Sequence, residues 1–404
     1  MSLTEAELLD DARQRLFAPT RSVNPRTIGL ELELIPIRKS TRVRALATAD
    51  KGESTAKVLT RLGQRERWSE ESIGGDPPSW NTEDGAHISF EPGGQIEIST
   101  APQPTASEVI DSTQNLVTMI RAAMSSMGIE LVARGVDPYN DVDTVPLQLH
   151  RDRYTGMTRY FDSIGPSGVR MMRQSAALQI NLERGEDPKS RWRLLNSLAP
   201  IVVALFANSR QYAGKRTQWA SYRAQLWRTL DPSRTGIVYD ETEPVERYLG
   251  FALEAIAMRS GDGGAVAYRT FREWMTEQAV TREEWLFHLS TLFPEVRPKE
   301  FFELRSADTI EPDALAAPVV FVTSLVYDEE SAHRAIELIG APKEALLERA
   351  GRLGLADPEI RRIASRLVVI ALEGGRRLGG DYLRRSHLEA AYKYFAGALA
   401  ANDI

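Results

Sequence analysis

The chain has 404 residues, 42% of them hydrophobic and 26% charged, the balance of an ordinary soluble globular protein. A net charge of −6 gives no ground for a nucleic-acid partner, and the absence of cysteine excludes disulfides, thiolate metal sites and a cysteine nucleophile. The most apolar run, LAPIVVALFA at 198–207, is about half the roughly 20 residues a membrane helix needs, so it predicts a buried helix and no membrane partner.

The acidic start, MSLTEAELLDD, lacks the basic and apolar regions of a signal peptide, and with the missing cysteines it fits a cytoplasmic protein. Residues 3–17 have amphipathic helical spacing, and TIGLELELIPIR at 27–38 reads as a strand. Residues 39–85 predict a loop-rich insertion with a short helix near 53–62. HISFEPGGQIEIST at 87–100 predicts two strands hinged at Pro92-Gly93-Gly94. A helix over 104–127 leads to a strand at 128–138, and a second helix over 150–162 to the strand SAALQINLE at 175–183. A helix over 188–207 follows. Residues 208–240, rich in Arg, Trp and Tyr, have the composition of a functional loop. Helices dominate 243–292, EFFELRS at 300–306 is a last strand, and the chain is almost wholly helical from about 312.

Strands joined by tight turns and intervening helices predict an α+β fold on an antiparallel sheet. The chain divides into a core over 1–310 and a helical region over 311–404 packed on it as one compact unit, and SGDGGAV at 260–266 is the only internal boundary suggested.

Side chains alternate across a strand, so Ile28, Leu30, Leu32 and Leu34 share one face while Glu31 and Glu33 share the other. An amphipathic strand with a solvated face explains one such pattern. It recurs, however, with Gln95, Glu97 and Ser99, with Gln179, Asn181 and Glu183, and with Glu303 and Arg305. If these strands are neighbours, Glu31, Glu33, Glu91, Glu97 and Glu303 crowd together and repel unless a cation holds them. Oxygen ligands alone select a hard ion such as Mg²⁺, which commonly also binds substrate phosphates, and Arg305 would then neutralise a transferring phosphoryl group. The chain has no P-loop, dinucleotide turn, nucleophile elbow or zincin helix, and its five histidines are scattered, as structural or surface residues would be.

The motifs GLELEL, ISFEPGGQIEIST, LQINLE, LFANS, SYRAQLWRTLDPSRTGI and LFPEVRPKEFFELRSAD occur in an order that resembles the glutamate–cysteine ligases of the plant and proteobacterial type. The related enzymes that make γ-glutamylcysteine for ergothioneine look similar. The resemblance runs from about 26 to 310, and EPGGQIE and FPEVR…FELR carry most of it. It implies a glutamine-synthetase-like fold in which an antiparallel sheet forms a funnel to the active site and helices pack on its outer face. It implies ATP, Mg²⁺, L-glutamate and L-cysteine or another small amine as cofactors and substrates, joined through a γ-glutamyl phosphate; a catalytically silent relative is the alternative. By resemblance, Glu31, Glu33, Glu91, Glu97 and Glu303 are metal ligands and Arg305 stabilises the phosphoryl group. Gln179 and Asn181 line the nucleotide and metal site, while Tyr222, Arg223, Trp227 and Arg234 lie near the amino acids. Ser175 and Ala176 stand where the family often has threonine and cysteine, which alters the expected lining near the acceptor.

Overall fold

The protein is described from a computed structural model over residues 3–20, 26–48, 52–72, 74–258 and 268–400. The predicted boundary at 260–266 lies outside these residues. The alternating run Ile28–Arg38 forms the long central strand β1. It is followed by β2 (Ser69–Glu71), β3 (Ser79–Asn81), β4 (His87–Phe90), β5 (Ile96–Ser99), β6 (Ile129–Val132) and β7 (Ala177–Leu182). Two short pairs come next, β8 (Gln211–Tyr212) with β9 (Lys215–Arg216) and β10 (Thr235–Gly236) with β11 (Phe293–Pro294). The hairpin of β12 (Val296–Pro298) and β13 (Phe302–Asp308) closes the list.

The main sheet runs β12-β13-β7-β1-β5-β4-β3-β2, with β6 also paired to β1, and every pairing in it is antiparallel. The expected antiparallel sheet is therefore present. Its apolar face carries Leu30, Leu32, Ile96, Ile98, Ile180 and Leu304, all buried in one core with the helices Ala106–Ser126, Pro188–Leu205 and Ala316–Tyr327. LAPIVVALFA supplies most of the buried side of the second of these helices, as expected. The helix Ala316–Tyr327 is buried on all sides, so the C-terminal helices and the sheet share one continuous core across residue 310.

Some elements differ from expectation. The N-terminal helix is a capped α-helix, Glu5–Asp11, that continues as one π-helical turn over Ala12–Leu16. The insertion at 39–85 contributes β2 and β3 to the sheet edge, where three-residue strands carry too little alternation to be seen in sequence. Strand β6 ends at Val132 rather than 138. The supposed loop at 208–240 contains a helix, Tyr222–Leu230, started by Ser221, whose hydroxyl accepts from the Ala224 amide.

The turn between β4 and β5 is tightly held. Arg44, which forms a buried ion pair with Asp137, donates through Nη1 to the Gly93 carbonyl (2.8 Å) and to the Arg173 carbonyl (3.2 Å). Gln148 donates to the Gly93 carbonyl (2.6 Å). A Cβ on Gly93 would overlap the Arg173 backbone, so only glycine fits. Gly93→Ala is expected to destabilise the fold by about 3 kcal/mol, read as a lower urea midpoint with an unchanged slope.

Candidate active site

Sheet register assembles the polar face. Glu33 of β1 lies directly opposite Glu97 of β5, and Glu31 opposite Gln179 of β7. Glu91 follows β4 and enters the turn, where its amide bonds the Gln95 carbonyl. Among the described residues, Glu33, Glu91 and Glu97 offer carboxylate oxygens that all lie within 4.8 Å of one another. Glu33 is buried, while Glu91 and Glu97 are half-buried. Glu31 stands beside them and accepts from Asn181 Nδ2 at 3.0 Å. Glu33 accepts from the Ala177 amide at 2.8 Å and from Gln179 at 3.4 Å.

These carboxylates are disposed to hold protons or cations. Burial, then the Glu97 charge, pushes Glu33 up to about 8. Burial and Glu33 push Glu91 up to about 7. Glu97 is raised well above the usual range by burial and by Glu91 and Glu31. An all-oxygen set of this kind fits a hard divalent cation. A carboxyl raised on folding binds its proton more tightly in the folded state. Its stabilising contribution is complete below its unfolded value of 4.5 and is lost as the pH rises through about 8. The melting temperature in chelator is therefore expected to fall between about pH 5 and pH 9. Added Mg²⁺ should restore more at the alkaline end, and melting curves with and without Mg²⁺ across this range check it.

Glu303 is not part of this cluster. It is fully buried, paired across the hairpin with Arg297 (2.7 Å), and bound also by Arg305 (2.5 Å) and Lys299. Burial alone would raise its pKa, but Arg297, Arg305 and Lys299 hold it well below the usual range. The expected five-carboxylate repulsion is thus corrected: Glu303 is neutralised by its own hairpin. Arg305 bridges Glu303 and the Gln179 amide oxygen, and its Nε is buried without an acceptor. Asn181, opposite Glu303 in register, joins the two halves of the face.

Arg223 and Trp227 also belong here. They are one helical turn apart, with the guanidinium 4.1 Å from the ring centroid, and Arg223 donates to the Arg305 carbonyl at 2.9 Å. The buried Asp308 ties three of the sequence motifs together. It accepts from the Asn208 amide (2.7 Å), the Ser209 hydroxyl (2.7 Å) and the Ser221 hydroxyl (2.9 Å).

Two expected substrate residues lie elsewhere. Tyr222, one residue round the helix from Arg223, packs on Tyr212 with ring centroids 5.0 Å apart. Arg234 is fully buried and spends its donors on Asp231 (2.6 Å), the Ile256 carbonyl (2.6 Å) and the Thr291 carbonyl (3.0 Å), a structural role. Of the two residues expected to alter the acceptor region, Ser175 lines the cavity, whereas Ala176 packs with Ile35, Ile37 and Val132.

The cavity over the carboxylates has a volume of about 160 Å³. Sequence reasoning missed several of its walls: Arg153, Tyr154 and Met157 from the helix Asp152–Ile164, Met171 and Met172, and Phe293 and Arg297. Arg297 sits inside the conspicuous FPEVR motif, which was a usable signal, whereas the helix gave none. A larger groove of about 550 Å³ between the C-terminal helices, lined by Leu372, Gly375, Leu383 and Tyr392, has no convergent carboxylates. No helix among the described residues is long and apolar enough to cross a membrane.

The chain is 30% identical over 355 residues to the chloroplastic glutamate–cysteine ligase of Brassica juncea, spanning 81% of this chain and 68% of that protein. It is 31% identical over 334 residues to glutamate–cysteine ligase EgtA of Mycolicibacterium smegmatis, spanning 78% and 77% respectively. Its fold is similar to that of the solved glutamate–cysteine ligase of Francisella tularensis in complex with AMP, with a TM-score of 0.54 at 12% identity over 95% of this chain and 83% of that one. The family model for glutamate-cysteine ligase family 2 matches residues 27–402, and the chain belongs to that family.

Proposed function

We propose that this protein is a cytoplasmic, ATP-dependent carboxylate–amine ligase that joins the γ-carboxylate of L-glutamate to the amine of L-cysteine. The observation that carries this reading is the cluster of Glu33, Glu91 and Glu97 beside the buried Arg305. Family membership and the relatives' names support the choice of substrates, and the AMP in the Francisella tularensis enzyme supports a nucleotide. The polar face of the antiparallel sheet would form the funnel wall, with the nucleotide and metal on the side of Gln179 and Asn181.

In this reading a γ-carboxylate oxygen of glutamate attacks the γ-phosphorus of ATP and ADP departs. The cysteine amine then attacks the acyl carbon, the C–O bond to phosphate breaks, and the ammonium proton is released. Glu33, Glu91 and Glu97, with Glu31 adjacent, would hold Mg²⁺, which when bound screens charge among the phosphates. Arg305, which lines the cavity, would counter the charge that gathers on the phosphoryl group. Arg223, stacked on Trp227, keeps Arg305 in place through its carbonyl and adds a second positive charge. Glu303 fixes Arg305 from the other side and keeps Arg297 and Lys299 at the rim.

Ser175 in the cavity wall supports a second reading, the same chemistry with another small amine as acceptor. Incubation with ATP, Mg²⁺, glutamate and a panel of amines, read by mass spectrometry, tests both. Cysteine is expected to give γ-glutamylcysteine, and 2-aminobutyrate a detectable product, because a pocket discriminates an added group of this size by only about 1–3 kcal/mol. A product only with a larger or charged amine would select the second reading, and no ADP release with any amine would overturn both.

A further inference from the structure

Arg153 differs from the other cations around the cavity. Arg297 and Arg305 are ion-paired to Glu303, but no carboxylate among the described residues forms an ion pair with Arg153. One of its Nη atoms donates to the Ser290 carbonyl at 2.9 Å, and its Nε is buried with no acceptor. Glu91 of the same cavity is its carboxylate neighbour but makes no contact pair with it. A largely desolvated guanidinium without a contact ion pair is costly, and in a cavity it is a ready partner for a planar anion.

The surroundings narrow the anion. Met157, one helical turn after Arg153, lines the same cavity, and with Met171, Met172, Trp227 and Phe293 it makes an uncharged, polarizable wall. A cation beside such a wall matches an amino acid, with its α-carboxylate on the guanidinium and its aliphatic or thiol side chain on the thioethers and rings. A phosphate would gain nothing from the wall.

We propose that Arg153 binds the α-carboxylate of an amino-acid substrate and holds that substrate against the Met157 wall. The inference rests on the ligase reading, in which both glutamate and the acceptor carry an α-carboxylate. Analogues lacking it, 4-aminobutyrate for glutamate and cysteamine for cysteine, separate the two.

The test compares full-length wild type, Arg153→Gln and Arg153→Lys in steady-state kinetics and thermal melting. In Arg153→Gln the KM of either glutamate or cysteine is expected to rise about 10- to 100-fold, with the KM for ATP nearly unchanged and Arg153→Lys intermediate. For the matching decarboxylated analogue kcat/KM should stay within about 3-fold of wild type. Which amino acid responds identifies the bound carboxylate. A rise confined to the KM for ATP, or equal losses for parent and analogue, overturns the proposal. If Arg153→Gln does not fold, Arg153→Lys is judged by the same criteria. If wild type ligates nothing, the ligase reading fails, and Arg153 is judged by melting alone. Stabilisation by glutamate or cysteine, absent with the analogue and lost in the variant, supports its role, and no such difference overturns it.

Discussion

Glu97→Gln is expected to reduce kcat/KM by roughly 10³-fold, the upper end for removing one group that supports transition-state charge, while raising the melting temperature of the metal-free protein. The substitution keeps the shape but deletes one charge from a site where Glu33 is directly opposite and Glu91 is within 4.8 Å. At alkaline pH, where the raised carboxyls ionise, relieving that repulsion stabilises the metal-free fold, and at any pH the loss of a ligand weakens cation binding. Glu303→Gln should have the opposite effect on stability, because Arg297, Lys299 and Arg305 would lose the buried carboxylate that neutralises them. Both variants should lose activity. Near-wild-type turnover of Glu97→Gln at saturating Mg²⁺ would refute the metal site, and a raised melting temperature for Glu303→Gln would refute the charge balance described here.

Arg305→Lys is expected to lower kcat by about 100-fold with little change in the KM for glutamate. The Arg305 fork reaches Gln179 and Glu303 through Nη1, and its guanidinium lines the cavity. A lysine ammonium keeps the charge but cannot hold two protein groups and a phosphoryl oxygen in one plane. An effect confined to KM would place Arg305 in ground-state binding instead. Single-turnover measurement of ADP formation separates the two.

The polar face was legible because alternation is a local property. Leu30 and Leu32 on one side of β1 and Glu31 and Glu33 on the other follow from strand geometry alone. Which carboxylates meet was not legible, since that depends on the Glu33–Glu97 register between strands far apart in the chain. Glu303 looked the same as Glu33 in sequence, and its pairing with the cross-strand Arg297, with Lys299 and with Arg305 distinguishes them. Among the arginines, Arg223 reaches the site through the Arg305 carbonyl, because its helix presents it on one face with Trp227, which lines the cavity. Tyr222 is turned away by the same helix, and Arg234 is consumed by Asp231 and backbone carbonyls. The helix Tyr222–Leu230 itself was hidden by its Arg- and Trp-rich composition, in which a buried arginine, Arg223, occupies one position of the inward-facing spacing 223, 226, 227, 230. Arg153 belongs to no motif, and its place over the carboxylates comes from packing of the helix Asp152–Ile164.

The central claim, that the glutamate γ-carboxylate is activated by direct phosphorylation, is tested most directly by isotope transfer. With glutamate carrying ¹⁸O in its γ-carboxylate, ATP, Mg²⁺ and cysteine, one ¹⁸O per turnover is expected in the released phosphate, with ADP as the nucleotide product. Release of unlabelled phosphate, or of AMP and pyrophosphate, would contradict the account.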